Sequence, residues 1–257
     1  MMKFFSRFLI MTLALLTLVC PLVSCGGGEE EKSSLPSEPV SEVSSVIEIG
    51  YDYSRPVPKV EGDWAKKSYF SDAVFIGDSV TTGLTIYSFF ENATVLAERG
   101  IDPDNIFTKN ISSENKTIMA LLAEKEYAKI YIMLGANAAV YMSTEEYITA
   151  YAKMLDEIVK LQPNAVIYIQ AVFPVTKALS DSNTSAGKTL TNETIIAYNT
   201  KLLQLAADKK VYFVNTFECM AKEGVMPSEY SPDGVHINAA QYQLWYDYLR
   251  SHVIIEG

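Results

Sequence analysis

The sequence predicts an α/β domain whose parallel sheet is covered by helices on both faces. Three observations carry that prediction. Short, continuously apolar runs are rich in β-branched and aromatic residues, amphipathic stretches lie between them, and the two kinds of segment alternate along the chain. Ala73-Val74-Phe75-Ile76, Ile130 to Leu134, Val166 to Ile169 and Val211 to Val214 are the strands, each short and apolar throughout, as strands buried on both faces should be. A weaker strand lies at Thr94-Val95-Leu96. The clearest helix starts at Ser143 and sets Tyr147, Ile148, Tyr151, Leu155, Ile158 and Val159 on one face. Ser143 and Glu146 form a capping-box pattern at its start, and Pro163 marks its end. Ile195 to Ala207 gives a second helix, and Asn238 to His252 a third.

Composition excludes several classes. The chain has 257 residues, 49% hydrophobic and 20% charged, which is neither a disordered nor a collagen-like composition. Its formal net charge of −10 lacks the basic face that nucleic acid requires, so no nucleic-acid partner is expected. Three cysteines are too few for a disulfide scaffold, and no CxxC or HExxH spacing offers a zinc site.

The N-terminus divides the chain. Lys3 and Arg7 precede an apolar run from Phe8 to Val19, too short to span a bilayer and arranged like a secretory signal. It ends in Leu22-Val23-Ser24-Cys25, which resembles the bacterial lipobox. That resemblance implies cleavage before Cys25, acylation of Cys25, and a protein anchored outside the cytoplasm at the cell membrane. Removing residues 1–24 takes away two positive charges and no negative one, so the net charge moves from −10 to −12. Gly26-Gly27-Gly28-Glu29-Glu30-Glu31 and the prolines at 36, 39, 56 and 58 read as a flexible tether over residues 25–62, although the alternation of Ile47, Ile49, Tyr51 and Tyr53 also fits an irregular arm packed on the domain over Val46 to Tyr53. The domain is then expected over residues 63–257. Of the cysteines only Cys219 remains, so no intramolecular disulfide is expected.

Sites in open parallel sheets form at the carboxyl ends of the strands. The first strand ends in Gly77-Asp78-Ser79, where a serine can hold its Oγ at the sheet edge. Read alone, Asp78 and Ser79 are equally explained as helix caps. The strand from Ile130 ends in Gly135-Ala136-Asn137, whose amide can either face the crevice or close a turn. Ser231-Pro232-Asp233-Gly234-Val235-His236 precedes the last helix. A D-x-x-H loop can curl so that the carboxylate meets one ring nitrogen and leaves the other for proton transfer.

Together these blocks resemble the SGNH/GDSL hydrolase family. Phe75-Ile76-Gly77-Asp78-Ser79 is similar to its first block, Gly135-Ala136-Asn137 to its third and Asp233-Gly234-Val235-His236 to its last. The resemblance implies a three-layer α/β/α sandwich with a flavodoxin-like parallel sheet, and acyl-ester chemistry needing no metal or cofactor. It implies Ser79 as nucleophile, His236 as base and Asp233 as its orienter, with the Ser79 and Gly100 N–H groups and the Asn137 side chain as oxyanion donors. Two departures stand out. The Gly100 loop lacks the usual flanking pattern of the second block, and Ala138 replaces the acid that commonly follows the asparagine.

The expected substrate is a short acyl ester, an acetyl group on an extracytoplasmic carbohydrate. An O-acetyltransferase acting on cell-wall or exopolysaccharide sugars, or an inactive carbohydrate-binding lipoprotein, is the alternative. The polar segment Ser180–Leu190 is expected as a loop bordering the pocket, and Phe173 and Met226 as walls of the acyl site.

Overall fold

The computed structural model describes residues 51–254 apart from Ser88 and Glu91. The expected signal, Cys25 and most of the expected tether lie outside the described residues. Strand β1 (Ala73–Gly77) leads into two short helices, α1 (Ser79–Thr82) and α2 (Leu84–Tyr87), and then β2 (Thr94–Ala97). A two-residue ribbon pairs Asn110–Ile111 with Lys116–Thr117 ahead of α3 (Ile118–Leu122). There follow β3 (Lys129–Met133), α4 (Thr144–Leu161), β4 (Val166–Gln170), α5 (Lys177–Ser185) and α6 (Asn192–Lys209). The chain closes with β5 (Tyr212–Val214), α7 (Thr216–Met220) and α8 (Ala239–Ser251). Among the described residues the main sheet is parallel, in the order β2-β1-β3-β4-β5. This is the flavodoxin-like order, with its switch point at β1 and β3.

Strand alternation sorts the side chains into two cores. Val74, Ile76, Ile130, Ile132, Ile167 and Ile169 face Tyr147, Tyr151, Leu155 and Ile158 of α4 and Tyr198 and Leu202 of α6. On the opposite face Phe75, Tyr131, Tyr168 and Val214 pack with Trp245, Tyr246 and Leu249 of α8. The second face carries an aromatic ladder in strand register. Phe75 lies opposite Tyr131, Tyr131 opposite Tyr168, and Tyr168 opposite Tyr212, with ring centroids 5.0, 4.6 and 5.4 Å apart.

The expected helices are present with shifted ends. Ser143 caps α4 in a complete capping box with Glu146, and Asn238 stands at the N-cap of α8. Val159 does not join the buried face of α4 and is 40% exposed, while Met154 is fully buried. The segment expected to be a loop over Ser180–Leu190 is helical through Ser185, started by a Thr176 cap. Its apolar periodicity is missing because Asn183 is its only buried residue.

The domain also begins earlier than the expected boundary at residue 63. The Val57 N–H donates to Phe213 O at 2.7 Å and its side chain is 2% exposed. The Val60 N–H donates to Ser251 O at 2.7 Å, and the Tyr51 ring meets Tyr212 edge-on at 4.8 Å. Extended, proline-rich sequence reads as tether, but here its backbone bonds to β5 and to the end of α8. Burying a valine contributes about 1.5–3 kcal/mol, and 1 kcal/mol moves Tm by about 2–4 °C in a domain of this size. A chain begun at residue 63 is therefore expected to melt at least about 3 °C below one begun at residue 49. Equal melting temperatures by calorimetry would show that the arm contributes nothing.

Candidate active site

β1 ends at Gly77 and α1 begins at Ser79, so a single residue makes the turn. Asp78 is extended, and its carboxylate accepts the Val80 N–H at 3.0 Å as the helix cap. Ser79 occupies the first helical position, where a backbone N–H has no intrahelical acceptor. Gly77 is required by space, because a Cβ there would run into the Thr81 side chain. From the last helix the Tyr242 hydroxyl donates to Val80 O at 2.7 Å and braces the turn. Both readings of this tripeptide therefore hold at once: Asp78 caps, and Ser79 is presented.

The second half of the site comes from the loop before α8. Asp233 Oδ1 accepts the N–H groups of Val235 at 2.9 Å and His236 at 2.8 Å. The Gly234 N–H donates to Ser231 Oγ at 2.8 Å, and Gly234 O accepts the Thr176 N–H at 3.0 Å. This curl places Asp233 Oδ2 2.6 Å from His236 Nδ1 and His236 Nε2 2.9 Å from Ser79 Oγ. An ionised carboxylate only accepts, so Nδ1–H donates to Asp233 and Nε2 accepts the Ser79 hydroxyl proton. Partial burial pushes the Asp233 carboxyl up. The hydrogen bonds from the His236 ring and from the Val235 and His236 N–H groups outweigh that and hold it at about 2. Such a chain of contacts can take a proton from a hydroxyl and return it to a leaving group.

Gly100 and Asn137 lie on the loops after β2 and β3, one on each side of β1 in the sheet order. The Asn137 amide donates to Ile101 O at 2.9 Å, which joins the two loops and leaves its second hydrogen uncommitted to that bond. Gly100 has φ +71°, a left-handed conformation that favours glycine, in a turn closed by Ile101 N–H on Glu98 O. Its N–H has no acceptor among the described residues.

A small cavity of about 20 Å³ adjoins the serine turn, lined by residues including Asp78, Val80, Val172, Phe173, Val175 and Val235; Ser79, Asp233 and His236 themselves are not in its lining. Phe173 is one of the walls of this cavity. Met226 does not line this cavity; it is 1% exposed and its N–H donates to Val175 O. Two asparagines escape sequence reading. Asn192 and Asn199 of α6 each clamp one residue of the cavity wall from both sides, Val175 at 2.9 and 3.0 Å and Val172 at 2.8 and 2.9 Å. Their spacing of two helical turns is the signal that could have found them. Gly187–Leu190 borders a separate, larger cleft with Val140 and Tyr141, and none of Ser79, Asp233 and His236 lines it.

Asp78 is 3% exposed, and burial pushes its carboxyl up to about 6, against the Val80 N–H bond and the nearby His236, which both favour the anion. The unfolded carboxyl titrates near 3.8, so between the two values the folded state binds more protons and stability falls as pH rises. Above about pH 6 the accumulated cost is roughly 3 kcal/mol. Asn caps helices as well as Asp and does not ionise. Asp78→Asn is therefore expected to raise Tm at pH 8, with the gain vanishing near pH 4. A gain of the same size at both pH values, or none, would contradict this account.

The sequence pattern of the GDSL-like Lipase/Acylhydrolase family matches residues 75–244. No curated protein matches the chain. Among solved structures, a GDSL-like lipase from Bacteroides thetaiotaomicron superposes with TM-score 0.53 at 16% identity, covering 71% of this chain and 87% of that one. A protein from Slackia heliotrinireducens described as an SGNH hydrolase gives 0.52 at 19%, covering 70% and 97%. A variant of an acetyl-xylooligosaccharide esterase from Geobacillus stearmophilus gives 0.51 at 15%, covering 72% and 94%. These likenesses share the fold, and the family match spans the serine turn, the Asn137 loop and the Asp233–His236 loop. The chain belongs to the GDSL-like lipase/acylhydrolase family.

Proposed function

We propose that the protein is a serine esterase that removes acetyl groups from an O-acetylated carbohydrate outside the cytoplasm, held at the membrane through Cys25. The observation that carries this reading is the contact of His236 Nε2 with Ser79 Oγ at 2.9 Å, backed by Asp233. Ser79 Oγ attacks the ester carbonyl while His236 Nε2 takes its proton, and Asp233 stabilises the imidazolium. The carbonyl π electrons move onto oxygen, which receives hydrogen bonds from the Ser79 and Gly100 N–H groups and from Asn137 Nδ2. When the C–O bond to the alcohol breaks, His236 returns the proton to the departing oxygen, leaving Ser79 acylated. Water then enters by the same route, and acetate and the free serine are released.

The acetyl reading is supported by the cavity at the serine turn, whose lining includes Asp78 and Val80 on either side of Ser79. About 20 Å³ holds one water-sized or methyl-sized group. An acetyl group fits, whereas each further methylene must displace Val172, Val175 or Val235. The carbohydrate reading rests on the lipobox-like address of residues 22–25, which faces envelope or environmental glycans. One structure sharing the fold is named for acetyl-xylooligosaccharides, the same class of ester.

The test is a p-nitrophenyl ester series from acetate to octanoate, with Ser79→Ala as control. Acetate is expected to give the highest kcat/KM, with a fall of at least about tenfold by butyrate, because overpacking a filled pocket costs about 1–3 kcal/mol. Ser79→Ala is expected to lose a factor of about 10⁴ or more while its Tm stays within a few degrees. Octanoate as the best substrate would refute the acetyl assignment. An active Ser79→Ala would refute the nucleophile.

A further inference from the structure

Resting on the oxyanion reading above, we propose that Asp102 is a positioning residue that holds the two donor loops in register across the end of β1. The Asp102 side chain is buried, 2% exposed, and forms no ion pair among the described residues. Its charge is met by four neutral donors. Oδ1 accepts the Asp104 and Asn105 N–H groups at 2.9 and 3.0 Å. Oδ2 accepts Asn105 Nδ2 and the Tyr141 hydroxyl, both at 2.7 Å.

Each of those contacts leads to a donor loop. Asn105 Nδ2 also donates to Gly100 O at 3.0 Å, and its Oδ1 accepts the Asp102 N–H at 3.1 Å. Lys109 Nζ holds Arg99 O at 2.6 Å. In a trans peptide the N–H points opposite the carbonyl, so Lys109 sets the direction of the Gly100 N–H, and Asp102, through Asn105, holds the carbonyl side of the same residue. Tyr141 closes the short turn that follows Asn137, with its own N–H on Ala138 O at 3.0 Å. One carboxylate therefore ties the β2 loop to the β3 loop. β2 and β3 are not neighbours, because β1 lies between them, so the tie passes over the strand end that presents Ser79. The Asn137 bond to Ile101 O is the second strand of the same tie.

A carboxylate is needed because all four partners donate. Asn at position 102 keeps one acceptor oxygen but sets its NH₂ against the Asn105 amide, so that bond is lost and the Tyr141 hydroxyl must turn from donor to acceptor. Loosening of the loops then acts through Gly100 and Asn137, lowering kcat with little change in KM.

The experiment compares wild type, Asp102→Asn, Asn137→Ala and the double variant on p-nitrophenyl acetate, with rates expressed per active site titrated by an organophosphate. Asp102→Asn is expected to lower kcat about tenfold or more with KM within about twofold, since small misplacements of reacting geometry cost up to about 10²-fold. Because part of the Asp102 effect runs through Asn137 and part through Gly100, the double variant should lose clearly less than the product of the two single losses. Tyr141→Phe removes one of the four bonds, leaves the fold intact, and should lower kcat in the same direction by about threefold or more. Unchanged kcat in both Asp102→Asn and Tyr141→Phe beside an impaired Asn137→Ala overturns the proposal for Asp102 alone. Losses that multiply in the double variant also overturn it. An unimpaired Asn137→Ala overturns the oxyanion reading and with it the route assigned to Asp102.

Discussion

The inner strands of the main sheet have to be covered on both faces, and the rest of the molecule is arranged to meet that requirement. A strand such as β1, buried at all five positions, leaves no face for water. Its aliphatic side needs α4 and α6, and its aromatic side needs α8. Helices on both faces force crossover connections, and crossovers keep the strands parallel. Parallel strands then deliver all their carboxyl ends to one edge. Ser79 and His236, 157 residues apart, meet there because β1 and the loop before α8 both open onto that edge. The reading of the chain as an esterase stands on this geometry together with the family match.

The parts legible in the sequence are those whose burial or chemistry is local. Continuous apolar runs give the strands, since a strand covered on both sides has no polar phase to show. Ser143 and Glu146 give the start of α4 because a capping box is closed within four residues. Asp233 and His236 can be paired from spacing alone, as their contact needs only a tight loop. The residues that stayed hidden act through distant backbone. Asn192 and Asn199 bond carbonyl and N–H groups of the chain after β4; they lie on the buried side of α6, where polar residues interrupt the apolar pattern instead of announcing a partner. Asp102 reaches Tyr141 across 39 positions, and nothing near either residue announces the pair. The arm around Val57 is hidden for a related reason. Its composition is that of a linker, and only its backbone bonds to β5 and α8 reveal that it is packed.

Polar groups concentrate where the apolar rules are broken. Asp78 is a buried carboxylate beside the serine turn and is destabilising when ionised, the pattern expected where a fold gives up stability for chemistry. Asp102 is equally buried but is surrounded by four donors. No acid follows Asn137, where Ala138 stands, and a carboxylate reaches the same turn from the neighbouring loop through Tyr141. The loop is therefore anchored from Asp102 without an acid of its own.

The claim at the centre of this account is that Ser79 becomes covalently acylated. It is tested most directly by treating the protein with a fluorophosphonate, which an activated serine displaces irreversibly, and mapping the adduct by peptide mass spectrometry. The account predicts one adduct per chain, carried on Ser79. An unmodified chain, or an adduct on any other residue, would contradict it.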